Sequence, residues 1–239
     1  MRAFVAGATG YTGREVVREL RAHGVAAVAH VRPDSPRIAQ WEVRFQAHYA
    51  VVDTTEWELH AMRDALLRWQ PTHIFALLGT TRRRTRAARE RGHNDSYETV
   101  DYGLSSLLLK AALLTGHASR FVYLSSIGVS ERTRNPYLVA RWRMESELRA
   151  ARLPYIIARP GFISGPDRDE FRLGERTLTV LSDSLLAAAN AIGLGTLRDR
   201  YHSLTGAQLA RALVKAALDE RYANIVLEAA ELRQLAGQK

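Results

Sequence analysis

Cysteine is absent from the 239 residues. That removes disulfides and thiolate metal sites, and an intracellular, cytoplasmic location is expected. Lysine is nearly absent as well. It occurs only as Lys110, Lys215 and Lys239, so the formal charge of +9 rests almost wholly on arginine. No apolar stretch reaches the ~18 residues of a membrane span. The apolar run after Met1 is too short for a secretory leader, and none is expected. Internal repeats and linker-like segments are missing too. What is present is ordinary for a globular chain: 46% hydrophobic and 25% charged residues, long enough to bury a large core in one domain. A sequence pI of about 10.2 suits polyanionic ligands, a dinucleotide among them. Nucleic acid has no motif behind it and is not expected as a partner.

The first thirteen residues organise the rest. An apolar run over residues 3–6 leads into Gly7, Gly10 and Gly13, and an amphipathic segment begins at Arg14. Strand, glycine-rich turn and helix in that order form the usual cradle for a dinucleotide pyrophosphate. Gly7 permits a sharp turn off the strand, Gly10 lets backbone approach phosphate, and Gly13 lets the helix pack close to the strand. Thr9, Tyr11, Thr12 and Arg14 complete the candidate phosphate site.

Helical spacing follows over residues 11–23, with Val16, Val17 and Leu20 on one face and Gly24 as the stop. A strand over 25–31 ends at Arg32. That junction commonly selects the cofactor, and an arginine there suits the 2′-phosphate of NADP(H) over NAD(H). A short helix over 35–48 carries Ile38, Trp41 and Phe45. The next strand ends at Asp53, which either meets the adenine edge or caps a helix beginning near Glu56. In that helix Leu59, Met62, Leu66 and Leu67 form the apolar stripe. The strand over 73–78 is nearly all apolar, hence buried on both faces, and it runs into Leu78, Gly79 and Thr80, expected beneath the cofactor. Residues 82–91 hold an arginine cluster, read as a solvated loop. A long helix over 94–116 buries Leu104, Leu107, Leu108, Ala111 and Ala112. A strand over 120–124 ends at Ser125 and Ser126, a helix covers 136–152, and a strand over 153–158 leads to Arg159, Pro160, Gly161 and Phe162. Then come a charged loop over 167–179, helices over 181–192 and 207–218, a strand over 224–228 and a terminal helix. The prediction is an α/β fold, a doubly wound Rossmann-type parallel sheet of six to seven strands flanked by helices. Residues 1–165 form its cofactor core, and 166–239 form a smaller region on the substrate side.

Chemistry is carried by Ser126 or Ser125 after the fifth strand and by Tyr137 with Arg141 four residues on, one helical turn apart. A tyrosine beside a cation acts as general acid or base towards a carbonyl, and a serine hydroxyl polarises the same oxygen. With the glycine-rich turn, this constellation resembles the short-chain dehydrogenase/reductase superfamily. Within it, the chain is similar to the atypical branch of NmrA-like and HIV Tat-interacting oxidoreductase-like proteins. The likeness rests on residues 7–14, 51–53, 77–82, 100–101, 124–128, 137–141 and 159–161. It implies Tyr137 as acid/base, Ser126 as polarising hydroxyl with Ser125 as fallback, and Asp101 at a proton-relay position. It also implies a place beside the nicotinamide for Pro160, Gly161 and Phe162. Arg141 stands where the family has lysine. It keeps the charge but cannot relay a proton.

Three functions follow as expectations. The first is an NADP(H)-dependent oxidoreductase acting on a small carbonyl or alcohol. The second is a regulatory or scaffold protein that senses NADP(H) and signals through a protein partner, and the third is a nucleoside-diphosphate-sugar epimerase-like enzyme. A monomer or homodimer is expected.

Overall fold

The computed structural model describes residues 1–80, 96–164 and 203–238. Its sheet holds β1 (Arg2–Ala6), β2 (Ala26–His30), β3 (Val51–Asp53), β4 (His73–Ala76), β5 (Arg120–Leu124), β6 (Tyr155–Arg159) and, after a separate two-stranded pair of β7 (Ile163–Ser164) and β8 (Leu204–Thr205), β9 (Ile225–Glu228). The order is β3-β2-β1-β4-β5-β6-β9, and every neighbouring pair is parallel. This is the doubly wound Rossmann-type sheet predicted, with seven strands. The strand order reverses between β1 and β4, which makes that seam the topological switch point.

Helices cover both faces. Ala3, Val5, Phe75, Val122, Ile156 and Ala158 point to one side, against α1 (Tyr11–Ala22), α2 (Ile38–Gln46), α6 (Gly206–Leu218) and α7 (Ala229–Gly237). Phe4, Ala6, Ile74, Ala76, Phe121, Tyr123 and Ile157 point to the other, against α3 (Leu59–Trp69), α4 (Ser105–Leu114) and α5 (Pro136–Ala150). With neither face in water, the central strands read as unbroken apolar runs.

Residues 203–238 join the main sheet and core. The strand β9 extends the sheet beside β6, and α6 packs between α1 and α7 in the main core. Helix α3 starts at Leu59 rather than near Glu56, and Glu58, not Asp53, caps it by accepting from Ala61 N at 2.8 Å. Leu67 is 41% exposed and belongs to no stripe. The helix expected over 94–116 opens as a wide π-helical turn, Tyr97–Leu104, capped by Ser96, before tightening into α4. Leu104 and Leu107 there are only partly buried, while Leu108, Ala111 and Ala112 are core. The arginine cluster at 82–91, the loop at 167–179 and the helix at 181–192 lie outside the described residues.

Glycine sets how closely α1 approaches the turn. A Cβ on Gly13 would lie 2.1 Å from Gly7 O and 2.8 Å from Ala8 Cα. Nothing at a backbone contact can swing aside. Gly13→Ala should therefore cost about 3 kcal/mol or more, the upper end of overpacking penalties. Gly116 has φ +71° and open space around it, so Gly116→Ala should cost only about 1–2 kcal/mol of left-handed strain. Urea unfolding of both variants checks the ranking, and equal losses would contradict it.

Candidate active site

At the switch point the exits of β1 and β4 meet. Leu77 N donates to Ala6 O at 3.0 Å, and Gly7 turns away at φ +82°, where a Cβ would lie 2.6 Å from Leu77 O. Gly10 N closes the turn on Gly7 O at 3.0 Å. Helix α1 then starts with Gly10 at its cap position and no side chain capping it. Its first amides, on Tyr11, Thr12 and Gly13, are the kind of donor set that receives an anion. Thr9 and Gly10 are half-buried at the turn, Arg14 is half-buried in the first helical turn, and Thr12 is buried. The cradle fits a dinucleotide pyrophosphate. Tyr11 is used differently: its hydroxyl donates to Ser164 O at 3.0 Å and accepts from Gly206 N at 3.4 Å. It thereby ties the glycine-rich turn to the β7–β8 pair.

Arg32 lies just past β2, exposed, with its Nε 3.6 Å from the Asp34 carboxylate. Asp53 is buried, and its carboxylate is committed. Oδ1 accepts from Thr55 N at 3.0 Å, and Oδ2 accepts from Arg68 at 2.8 Å and Trp69 Nε1 at 2.7 Å. Burial opposes its ionisation, but the Trp69 and Thr55 hydrogen bonds outweigh it and hold the carboxyl below its ordinary value. Beside it His30, edge-on to Trp57 at 4.8 Å, pairs with Thr55 O at 2.7 Å. Nothing in the apolar alternation of β2 distinguishes His30 as part of this cluster.

The remaining candidates gather around one guanidinium. Arg141 is buried on α5, not solvated. One of its terminal nitrogens donates to Leu124 O at 2.6 Å and Tyr123 Oη at 3.2 Å. The other donates to Leu78 O at 3.1 Å and Asp101 Oδ1 at 2.7 Å. Asp101, fully buried in the π-helical turn, also accepts from Thr80 N at 2.9 Å. Gly79 makes room for the pair, since a Cβ there would lie 2.8 Å from Arg141. Burial opposes the charge of Arg141, and Tyr123, Tyr137 and Asp101 together outweigh it. Burial also pushes the Tyr123 phenol up to about 12. The guanidinium carbon stands 5.2 Å from the Tyr137 ring centroid, and Tyr97 meets that ring edge-on at 5.3 Å. The Tyr137 backbone is fixed by the Asn135 cap at 3.0 Å, with Pro136 in the first turn.

The two serines differ. Ser125 is buried and donates to Glu145 at 2.6 Å. Ser126 is half-buried and makes no side-chain hydrogen bond among the described residues. Past β6, Pro160 O accepts from Ile127 N at 2.9 Å and Phe162 O from Leu204 N at 3.0 Å, with Gly161 half-buried between them. The sequence reading missed Glu145, and it named Arg159 only as part of the turn after the sixth strand; the two bind each other beneath these exits.

Comparison with known proteins gives the family and the fold. The NAD(P)H-binding family profile matches residues 7–188. Protein FMP52, mitochondrial, of Debaryomyces hansenii is 27% identical over 167 residues, 69% of this chain and 68% of that protein. Its name places it in mitochondria, where the sequence reading expected a cytoplasmic protein. Among solved structures, a provisionally named NAD-dependent epimerase/dehydratase from Bacillus halodurans superposes with TM-score 0.65 at 17% identity, covering 98% of this chain and 99% of its own. The UDP-glucose 4-epimerase of Thermus thermophilus, in complex with NAD, gives 0.62 at 15%, covering 99% and 82%. At those identities the likeness establishes the fold. No helix among the described residues is long and apolar enough to cross a membrane.

Two measurements follow. Asp101→Ala or Arg141→Met alone strands a buried charge and should cost about 3–5 kcal/mol, whereas the double variant should recover much of that. Chemical unfolding of the cycle checks this, and additive losses would show that the two charges are not coupled. Burial lowers the pKa of His30 and of His73 below 6.5. Below that pH the unfolded chain takes up protons that the folded one does not, so stability rises with pH through this window. Asp53 and Glu145, both depressed, extend the loss towards lower pH by the same inequality. Melting temperature should fall steadily as pH drops from about 6.5, and a flat profile between pH 7 and 5 would contradict it.

Proposed function

The chain belongs to the NAD(P)H-binding family, and from that premise we propose that it is an NADP(H)-dependent oxidoreductase interconverting a small carbonyl and its alcohol. One observation carries the reading. The uncapped start of α1, behind Gly7 and Gly10, opens at the switch point between β1 and β4, with Tyr137 and its cation at the neighbouring strand exits. Gly7, Thr9, Gly10, Thr12, Gly13 and Arg14 hold the pyrophosphate. The preference for NADP(H) is supported by Arg32 at the end of β2, although Asp34 competes for its charge.

A bound nicotinamide supplies or takes up the hydride. The chain's own residues handle the proton. Tyr137 exchanges it at the substrate oxygen through its phenol, and Ser126, whose hydroxyl makes no side-chain hydrogen bond among the described residues, donates to the same oxygen. Arg141 holds positive charge against the Tyr137 ring while its two terminal nitrogens donate to Leu78, Leu124, Tyr123 and Asp101. Its part is thus electrostatic and architectural, and Asp101 keeps it in place. That same commitment favours a second reading, a dinucleotide sensor with little or no turnover. Both terminal nitrogens are engaged and only the buried Nε lacks an acceptor, so the guanidinium is poorly placed to serve a nicotinamide ribose.

Calorimetric titration with NADPH and NADH at matched salt tests the first step. NADPH should bind at least about tenfold more tightly, a difference of about 1.4 kcal/mol, and Arg32→Ala should erase the gap. A preference for NADH would overturn the NADP(H) assignment. Across a carbonyl panel, Tyr137→Phe should cut turnover by about 10²-fold or more with NADPH affinity nearly intact. Unchanged turnover would sink the catalytic role, and no turnover in the unmodified protein would leave the sensor.

A further inference from the structure

A second buried charge cluster lies one helical turn beyond Arg141. Glu145 is fully buried on α5, and both oxygens of its carboxylate are doubly engaged. Oε1 accepts from Ser125 Oγ at 2.6 Å and Arg159 Nε at 2.9 Å. Oε2 accepts from Arg149 at 2.7 Å and the other arm of Arg159 at 2.6 Å. Burial opposes the charge, but Arg159 and Ser125 outweigh it, so the group stays ionised. Arg159 reaches on to Glu228, the last residue of β9, at 3.0 Å. Above the cluster the exits of β5 and β6 continue as a paired ribbon, with Ser125 N on Ala158 O at 2.7 Å and Ile127 N on Pro160 O at 2.9 Å.

We propose that Glu145 is a positioning residue for the nicotinamide half of the dinucleotide. Through Ser125 and Arg159 it pins the ribbon carrying Ser126 and Pro160 to the helix that carries Tyr137. The inference rests on the NADP(H) reading above. A stabilising role alone explains the cluster poorly, because buried ion pairs of this kind seldom outperform apolar packing of equal volume. What the cluster adds is a fixed relation between three chain segments, all leaving the same end of the sheet. A site of this type tolerates displacements of only about 0.5 Å.

The test compares two ligands on the full chain: NADPH, and adenosine 2′,5′-bisphosphate, which lacks the nicotinamide half. Ser125→Ala removes one oxygen from the cluster, and Glu145→Gln removes its charge while keeping its shape. Both variants should bind NADPH about tenfold more weakly, the scale of losing a hydrogen bond to a charged group. The bisphosphate should bind within about twofold of the unmodified protein, and the change in reduced-nicotinamide fluorescence on binding should shrink. Should Glu145→Gln fail to fold, Ser125→Ala decides alone. Equal weakening of both ligands would reduce Glu145 to a stability role and overturn the proposal, as would unchanged NADPH binding in both variants. Failure of the unmodified protein to bind either ligand would instead remove the NADP(H) reading, and this inference with it.

Discussion

A single carbonyl oxygen governs the geometry at the switch point. Gly7 O receives the amide of Gly10 and lies where any side chain on Gly13 would have to stand. Because Gly13 has none, α1 begins directly on the turn, and its uncapped amides face outward at the carboxyl end of β1. The opposite wall follows from the same economy of space. Gly7 abuts Leu77 O, and Gly79 abuts Arg141. Two strand exits thus close on each other with backbone as the contact surface.

Beyond that seam, arginine serves as internal framework. Arg141 and Arg159 each engage several acceptors from different segments, which a planar fork of donors does better than an ammonium point charge. Each needs a buried carboxylate, Asp101 in one case and Glu145 in the other. The two pairs lie on successive turns of α5, so one helix face carries Tyr137, the Asp101 partner and the Ser125 partner in sequence. A lysine-poor chain therefore does more than exchange one surface cation for another.

Much of this was legible beforehand because it is local. Apolar runs marked the strands, and glycine punctuation marked the turns after β1 and β4. Ser126, Tyr137 and Arg141 were readable from their places beside a strand end and on one helix face. What escaped was long-range. Asp101 was named as a candidate, but its pairing with Arg141, 40 residues on, was not, and nothing in its neighbourhood says that a π-helical turn will bury it. Glu145 and Arg149 stand at ordinary i, i+4 spacing, and nothing local says that Arg159 and Ser125 converge on the same carboxylate. The sheet-extending role of residues 203–238 was hidden for a related reason. An amphipathic helix announces that it has an apolar face, not which layer receives it, and α6 lies against the first helix of the chain.

That pairing bears on how the molecule is made. Val16, Val17 and Leu20 of α1 are buried with Leu209, Leu213 and Val214 of α6, nearly two hundred residues downstream. During synthesis the first helix leaves the ribosome long before its cover exists, and at ~5–20 residues per second the wait lasts many seconds. Contacts of such sequence separation also slow folding, because the loop between them closes at an entropic cost. Until α6 emerges, the apolar stripe beside the glycine-rich turn of the nascent chain lacks part of its cover, the kind of transiently exposed surface that favours aggregation.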